Sequence, residues 1–503
     1  MKLFVLLIFL IISILNKNVN SEQLYTRYRS PYPYYSQKNL GKKSVKDDPS
    51  PPPYKEYWYM QTLDHFNFQT KGQFAQRYLI SDTYWNKPSP SSKVCSGPII
   101  FYTGNEGDIV WFYENSQFIT NVLAKEMGAL LFFAEHRYYG ETLPFGNESL
   151  TPENTGYLTS EQALADYAEL IPSVLADLGA EHCPVISVGG SYGGMLTAWF
   201  RMKYPNIVDA GLAASAPILM FYKTGASQEG FNQIATDDFK QTSEEGTCAS
   251  RIRNAFNSIM EISQQTGGLQ QLTNTFSLCD SLNQVGDLVN WIESGLTYMA
   301  MADYPYPAGF LEPMPGYPIN VSCEAMATTT DDIQGLLKVL NVYYNYTGTT
   351  QCYNTSVFTT SALGSDAWDV QACNEMIMPI SSNGVQDMFP AAPFNLQQLT
   401  SYCQQTWGIT PGVNWITTYY GGSNFTTSNL IFSNGVLDPW RAGGVLKDYG
   451  DSVIHIIIDG GAHHLDLRMP NEADPDSVIQ ARITETKLLQ MWANEASLKK
   501  QRK

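Results

Sequence analysis

Apolar residues recur along this chain in two alternating patterns. Short apolar runs, rich in β-branched and aromatic residues, occur at residues 98–103, 129–134, 185–188 and 207–214. Between two of them, at residues 159–179, apolar positions recur every three or four residues, which is the spacing of a helix with one buried face. Strands that alternate with helices predict a mostly parallel sheet with helices on both faces, as in α/β proteins.

The helix expected at residues 159–179 has recognisable ends. Thr159, followed three residues later by Gln162, is typical of a helix start, and Gly179 is typical of a helix end. Pro172 predicts a kink or a later start, because proline has no amide hydrogen to donate. Residues 58–66 and 74–80 precede these elements and predict antiparallel edge strands.

The pattern changes after Pro217. Residues 218–400 combine helical segments with serine-rich and threonine-rich stretches, and they predict an inserted helical cap domain. Strand patterns resume at residues 429–432 and 453–458, before a last helical segment near residues 477–492. The core is therefore expected in two parts, residues 55–217 and 401–503, on either side of the insertion.

The N-terminal region predicts export from the cell. Met1 and Lys2 precede a short apolar run, so we expect a secretory signal peptide over residues 1–21. Residues 22–54 are rich in tyrosine and proline, and they predict a leader or propeptide-like segment, with a simple surface tail as the alternative. No later stretch is long and apolar enough to span a membrane, so stable membrane insertion is not expected.

Cysteines and glycosylation motifs agree with passage through the secretory pathway. The cysteine count of eight is even and includes no Cys-X-X-Cys pair, which favours disulfides over a zinc or redox centre. Five Asn-X-Ser/Thr motifs predict surface glycosylation sites, at Asn147, Asn320, Asn345, Asn354 and Asn424.

Charge narrows the range of partners. The formal net charge of −17 at pH 7 and the lack of a basic stripe argue against nucleic acid as a partner. The same charge suits an acidic compartment, where carboxylates become neutral and self-repulsion falls. No metal or cofactor is expected, and the oligomeric state stays open, with a homodimer as one option.

Ser191 lies at the centre of the motif GGSYG, residues 189–193. An apolar run precedes the motif and a segment of helical spacing follows it, which predicts a tight turn from strand to helix. Such a turn holds a serine with its hydroxyl projecting, as a nucleophile requires. The alternative is a glycine-rich loop without chemistry.

A serine needs a base and an acid to act as a nucleophile. His463 and His464 follow the last predicted strand, whereas His455 lies inside that strand and is expected to be a core residue. Asp438 follows the preceding strand; its alternative role is a turn-forming Asp-Pro, and Asp466 is a rival acid. The chain order serine, aspartate, histidine is that of an α/β-hydrolase.

Two backbone amides are expected to stabilise the negative oxygen of the transition state. One is the amide of Tyr192, directly after the nucleophile. The other comes from residues 104–107 after an earlier strand, with Asn105 preferred over Glu106 and an ordinary tight turn as the alternative.

Six motifs resemble the family of secreted and lysosomal prolyl serine peptidases. They are QTLDHFN (61–67), FYTGNEG (101–107), EHRYYG (135–140), GGSYGGM (189–195), SNGVLDPW (433–440) and GAHHLDLR (461–468). The resemblance implies an α/β-hydrolase core with a helical cap, cleavage of proline-containing peptides next to the proline, and an acidic pH optimum. It also implies the lysosome as the location, with secretion as the alternative. It also implies that Ser191 is the nucleophile, Asp438 the acid and His463 the base, although the sequence itself does not separate the two adjacent histidines.

The resemblance extends to the substrate and its pocket. The segments MAMADYPY (299–306) and NEMIMP (374–379) are closer to the carboxypeptidase branch of the family than to its dipeptidyl peptidase branch. In that interpretation Met195, Met378 and Trp440 line a proline pocket, with ordinary core packing as the alternative. The expected activity is release of a C-terminal residue after a penultimate proline.

Further expectations follow from the same resemblance. His464 and Arg468 would form a second hydrogen-bonded layer beside the base, and Cys373 with Cys403 is the first expected disulfide. Cys95 with Cys183 is the second, because both cysteines precede strands of the core. The alternative functions are a dipeptidyl peptidase that releases N-terminal X-Pro dipeptides, an esterase or lipase, and a non-catalytic binding protein of hydrolase fold.

Overall fold

The computed structural model describes residues 50–88, 95, 97–243, 246–355 and 363–501. The predicted signal peptide and all but residues 50–54 of the predicted leader lie outside these residues. Residues 50–54 lie against the core, since the carbonyls of Pro52 and Pro53 accept hydrogen bonds from Tyr113 and Ser81 at 2.8 and 2.7 Å. Within the described part, no helix has the length and apolar character to cross a membrane.

A single eight-stranded sheet runs through the described part of the chain. Its strands are β1 (Lys55–Thr62), β2 (Gln73–Ser81), β3 (Ile99–Thr103), β4 (Leu130–Ala134), β5 (Val185–Gly190), β6 (Ala210–Ala214), β7 (Leu430–Gly435) and β8 (Val453–Ile458). The strand order is β1-β2-β4-β3-β5-β6-β7-β8. Only the pairings of β2 with β1 and with β4 are antiparallel, so the predicted mostly parallel sheet is confirmed.

Helices surround the sheet and fill the insertion. Those that belong to the core are α1 (Ile109–Asn115), α2 (Ala124–Met127), α3 (Ser160–Leu178), α4 (Tyr192–Lys203) and, at the end of the chain, a fourteenth helix (Asp476–Gln501). Those of the insertion are α5 (Gly230–Gln241), α6 (Thr247–Ser263), α7 (Gly268–Thr275), α8 (Val285–Met301), α9 (Pro318–Ala327), α10 (Asp332–Tyr344), α11 (Leu363–Asn374), α12 (Leu396–Trp407) and α13 (Trp415–Tyr420). The last helix is α14. A π-helical stretch (Phe118–Leu123) leads into α2.

Burial distinguishes the interior strands of the sheet from its edge strand β8. Every residue of β3, β4, β5 and β6 is buried, which is why these strands are continuous apolar or small-residue runs without alternation. At the sheet edge, β8 has one open side, and His455 is partly exposed and lies 2.6 Å from Asp448. The expectation that His455 is a core residue is therefore wrong, because an edge strand leaves its side chains partly in water.

The start of α3 differs from its prediction. Thr159 occupies the capping position, but its side chain accepts no capping hydrogen bond. Instead, a carboxyl oxygen of Glu375, from the insertion, accepts from the amide of Ser160 at 2.6 Å. Gly179 ends the helix in the left-handed conformation as expected, and Pro172 lies inside the helix without ending it.

Four disulfides divide between the core and the insertion. The expected pairs Cys95–Cys183 and Cys373–Cys403 are confirmed, and Cys248–Cys323 and Cys279–Cys352 join segments of the insertion. The predicted insertion boundary at residue 400 falls inside α12, and the chain returns to the sheet only at Leu430. Helical structure from the insertion thus continues as far as Tyr420.

Candidate active site

Ser191 occupies a strained turn between β5 and α4. Its backbone φ of 57° and ψ of −126° lie outside the regions that side-chain-bearing residues favour. Close packing enforces the turn: a Cβ on Gly193 would lie 2.2 Å from Oδ1 of Asn105, and one on Gly189 would lie 2.4 Å from the Gly193 carbonyl oxygen. The predicted strand–turn–helix unit is therefore present, with the serine at its tip.

The loop after β3 is tied to this turn by side chains. Asn105 Nδ2 donates to the carbonyl of Gly190 at 2.8 Å, and Asn105 Oδ1 accepts from the hydroxyl of Tyr102 at 2.9 Å. The hydroxyl of Thr103 donates to the carbonyl of Gly193 at 2.7 Å. Sequence reasoning considered only the backbone of Asn105 and missed this clamp, because side-chain bonds to a distant backbone leave no local sequence pattern.

Tyr192 is the first residue of α4, so its backbone amide has no hydrogen-bond acceptor within the helix. Its side chain points elsewhere: the hydroxyl lies 3.0 Å from His136 Nε2 and accepts from Gln371 Nε2 at 2.5 Å. Since Gln371 belongs to α11, the insertion contacts the residue directly after Ser191.

Asp438 and His463 meet at the carboxyl ends of β7 and β8. Oδ2 of Asp438 lies 2.9 Å from Nδ1 of His463, and both side chains are fully buried. Oδ1 accepts from the amide of Trp440 at 3.0 Å, so both carboxylate oxygens have partners. His463 Nε2 has no hydrogen-bond partner among the described residues and is free to bind a hydroxyl or water.

The insertion holds the backbone of His463 in place. The amide of His463 donates to the carbonyl of Met301 at 3.0 Å, and its carbonyl accepts from the hydroxyl of Tyr304 at 2.9 Å. Met301 ends α8, and Tyr304 follows in the same segment. Sequence analysis used this segment only for the family resemblance and did not foresee that it supports the histidine loop.

His464 and Arg468 lie beside this pair. The ring of His464 packs at 5.1 Å from Phe310, and burial, His463 and Arg468 together hold the pKa of His464 well below its ordinary value. The guanidinium of Arg468 lies 5.1 Å from the ring centres of both Tyr304 and Phe310. The electrostatic effect of Arg468 on His464 is thus present, while the hydrogen-bonded layer expected from the resemblance stays a prediction.

A cavity opens beside Ser191. The empty space at this position is about 310 Å³, a volume that includes open solvent. Its walls combine aromatic and polar side chains, and the residues that line it are Tyr102, Asn105, Glu106, Trp111, Phe112, Asn115, Ser116, Ser191, Phe310, His464 and Leu467. None of the residues predicted for the proline pocket is among them; Met195, Met378 and Trp440 are all buried. Their assignment to a pocket remains a prediction.

Glu106, which the sequence analysis considered only as a backbone donor, also lines this cavity. It is buried, and its Oε2 has no hydrogen-bond partner among the described residues. Burial raises the pKa of Glu106 to about 7, against smaller opposing effects of hydrogen bonds from its own amide and from Asn105. A carboxyl group therefore faces the space next to the nucleophile, and it is protonated in acid.

Comparison with known families decides the class of the protein. The sequence profile of the family described as serine carboxypeptidase S28 matches residues 61–485, which include Ser191, Asp438 and His463. The chain belongs to the serine carboxypeptidase S28 family. Membership confirms the family predicted from the six motifs, the serine-type carboxypeptidase class and the hydrolase character of the core.

Named relatives of this S28 chain include two mammalian enzymes. The lysosomal Pro-X carboxypeptidase of Pongo abelii is 46% identical over 451 residues, which cover 88% of this chain and 89% of the relative. The lysosomal Pro-X carboxypeptidase of Homo sapiens matches with the same identity and coverage. Among solved structures, the proline iminopeptidase of Mycobacterium smegmatis is 11% identical, with a TM-score of 0.38 over 88% of this chain and 99% of that one.

Proposed function

We propose that this chain releases the C-terminal residue of peptides whose penultimate residue is proline, through an acyl-enzyme on Ser191. The observation that carries the proposal is the buried 2.9 Å contact between Asp438 and His463, with His463 Nε2 left without a partner among the described residues. The two relatives named above are lysosomal Pro-X carboxypeptidases, and they support the proline preference.

The chemistry proceeds in two steps. In the first, the Ser191 hydroxyl attacks the carbonyl carbon of proline, and His463 takes the hydroxyl proton on Nε2 and passes it to the departing amine. The C–N bond breaks, the C-terminal residue leaves, and the prolyl carbonyl stays bound to Oγ as an ester. In the second step a water molecule, deprotonated by His463, hydrolyses the ester and restores Ser191.

Asp438 orients the base throughout this cycle. An ionised carboxylate only accepts hydrogen bonds, so its contact with Nδ1 places the mobile proton of neutral His463 on that nitrogen. Nε2 then carries the lone pair that removes the serine proton. The amides of Tyr192 and Asn105 are the proposed donors to the negative oxygen of the intermediate.

The proline pocket and the surface modifications belong to the same proposal. Met195, Met378 and Trp440 are apolar or aromatic and suit a proline ring, which has no hydrogen to donate. Glycosylation is proposed at the five motifs, of which Asn147, Asn320, Asn354 and Asn424 are exposed and Asn345 is partly exposed. Four disulfides and the lysosomal relatives fit a protein of the secretory pathway.

Reporter peptides test the direction of cleavage. An N-blocked Pro-Phe peptide and a free-amine Lys-Pro reporter are assayed side by side near pH 5, with wild-type protein and with Ser191→Ala as the control for contaminating activity. We expect release of phenylalanine from the first reporter and none by S191A. Cleavage of the Lys-Pro reporter alone would instead assign the chain as a dipeptidyl peptidase, and turnover of acyl esters without proline preference as an esterase.

A further inference from the structure

The residues described as lining the cavity beside Ser191 include no lysine or arginine that could receive a carboxylate. The one histidine of this lining, His464, has a pKa held well below the ordinary value. A peptide that loses its last residue must nevertheless place a negatively charged C-terminus close to the bond that is cut. Neutral hydrogen-bond donors are therefore the only groups of this lining that could bind that charge.

Glu106 has the geometry of such a donor. Its side chain borders the same small cavity as Ser191, it is almost completely buried, and its Oε2 has no partner among the described residues. A buried polar atom without a partner is costly, and a ligand that supplies the missing hydrogen bond recovers that cost. A protonated carboxyl offers one O–H donor, and an ionised carboxylate offers none.

We propose that the protonated side chain of Glu106 donates a hydrogen bond to the C-terminal carboxylate of the substrate and so selects peptides with a free C-terminus. The proposal rests on the proposed carboxypeptidase function and deepens it. The departing residue would lie against the aromatic walls of the cavity, formed by Trp111, Phe112 and Phe310, which suit an apolar side chain. Asn115 and Ser116 add polar groups to the same lining.

The surroundings of Glu106 favour its protonated form in acid. Burial raises its pKa to about 7, so it carries its proton near pH 5 and loses it above neutrality. The titratable groups that face the cavity are Tyr102, whose pKa burial also raises, and His464, whose pKa burial lowers; both shifts favour the uncharged form. The guanidinium of Arg468 packs on Phe310, outside the residues that line the cavity. Asp108, further along the loop, is engaged by Arg77 at 2.7 Å. Ionised Glu106 would instead repel a C-terminal carboxylate.

The ionised form of Glu106 would have the opposite specificity. A carboxylate at this position would attract the ammonium group of a free N-terminus, as a dipeptidyl peptidase requires. Neutral Glu106 favours a C-terminal carboxylate, and charged Glu106 favours an N-terminal amine. The protonation state of one side chain thus decides which end of a peptide this cavity accepts.

The test compares two blocked Pro-Phe peptides that differ only at the C-terminus, one a free acid and the other an amide. We measure kcat/KM for both from pH 4.5 to pH 8 with wild-type protein, with Glu106→Gln, and with the exposed control Glu153→Gln. For wild type and E153Q, we expect the acid-to-amide ratio to fall at least about tenfold as pH rises through 7. For E106Q, whose amide is a donor at every pH, we expect a ratio that does not change with pH.

Each other outcome has a defined meaning. A wild-type ratio that stays constant from pH 5 to pH 8, or an E106Q ratio that follows the wild type, overturns the role of Glu106 even if the free acid is cleaved well. Cleavage of the Lys-Pro reporter that rises with pH and is lost in E106Q assigns Glu106 to an N-terminal amine instead. Failure to cleave either blocked peptide, with Ser191 still labelled by a fluorophosphonate, refutes the proposed carboxypeptidase direction itself.

Discussion

Asp438 has a partner on each carboxylate oxygen, and the two partners have different consequences. The amide of Trp440 fixes the side chain of Asp438, and Nδ1 of His463 shares the other oxygen at 2.9 Å. With the carboxylate fixed, the imidazole has one orientation and one neutral tautomer available to it. In the proposed mechanism, the base is therefore oriented before the substrate binds, and no rearrangement adds to the barrier.

Replacing Asp438 with asparagine tests this orientation. Asparagine keeps the shape but can donate to Nδ1, which moves the histidine proton to Nε2 and removes the base. We expect kcat for a blocked Pro-Phe peptide to fall by about 10⁴-fold with little loss of thermal stability. The matched control is Asp466→Asn, since Asp466 accepts from Ser433 at 2.5 Å and not from His463. A comparable loss in D466N would favour Asp466 as the acid.

At the residue scale, the sequence could place candidate site residues where they follow the ends of strands. Ser191, Asp438 and His463 each come directly after a recognisable strand, and parallel strands bring their carboxyl ends to one edge. The sequence named Asn105 and Glu106 only as candidate backbone donors, because the side-chain contact of Asn105 with Gly190 and the burial of Glu106 arise only in the folded chain. Whether a single polar side chain is buried depends on the tertiary fold, so the local sequence pattern does not predict it.

At the scale of elements, the crossing of β5 and α4 depends on two glycines. The strand and the helix approach so closely that a side chain at Gly189 or Gly193 would overlap backbone or the Asn105 amide. Local spacing predicted both elements, whereas the partners that fix their junction come from β3 and its loop. The same limit applies to α3, whose start is capped by Glu375 from the insertion and not by Thr159.

A methyl group at Gly193 should disrupt this junction. Gly193→Ala would place Cβ 2.2 Å from Asn105 Oδ1 and 2.8 Å from the Thr103 carbonyl oxygen. We expect the free energy of unfolding to fall by about 1–3 kcal/mol, with a larger relative loss of kcat than of stability. Denaturant unfolding and peptide hydrolysis measure the two effects. Gly156→Ala is the control, since nothing lies within 4 Å of its added Cβ. Equal effects of both variants would show that the close packing of Gly193 against Asn105 does not stabilise the turn.

At the scale of the whole molecule, buried carboxyl groups make the folded chain more stable at acidic pH than at neutral pH. Burial raises the pKa of Asp303 to about 7 and that of Asp238 to about 9, where Asp303 and Asp438 add repulsion. Burial also raises the pKa of Glu375 and Glu485 well above the ordinary value. Each group holds a proton in the folded chain at a pH where the unfolded chain has lost it, so stability falls as pH rises.

The sign of this effect gives a direct prediction. The contribution of Asp238 is fully present below its ordinary pKa of 3.8 and is lost as pH rises towards about 9. We expect thermal unfolding to shift to lower temperature between pH 5 and pH 8. The free energy of unfolding should also decrease with pH in Asp238→Asn, but with a slope smaller than that of the wild type by about 1.4 kcal/mol per pH unit. The exposed control Glu153→Gln should follow the wild type, and an unchanged slope in D238N would refute the assignment.

The last helix joins the two ends of the core, and this has a consequence for biosynthesis. The Ser497 hydroxyl donates to the carbonyl of Cys95 at 3.2 Å, and Lys500 Nζ donates to the carbonyl of Cys183 at 3.0 Å. The insertion, with its own disulfides, is synthesised before β7, β8, His463 and α14. A nascent chain can therefore form the disulfides of its cap while it still lacks His463. We expect no peptidase activity from a nascent chain until β7, β8 and α14 have been synthesised.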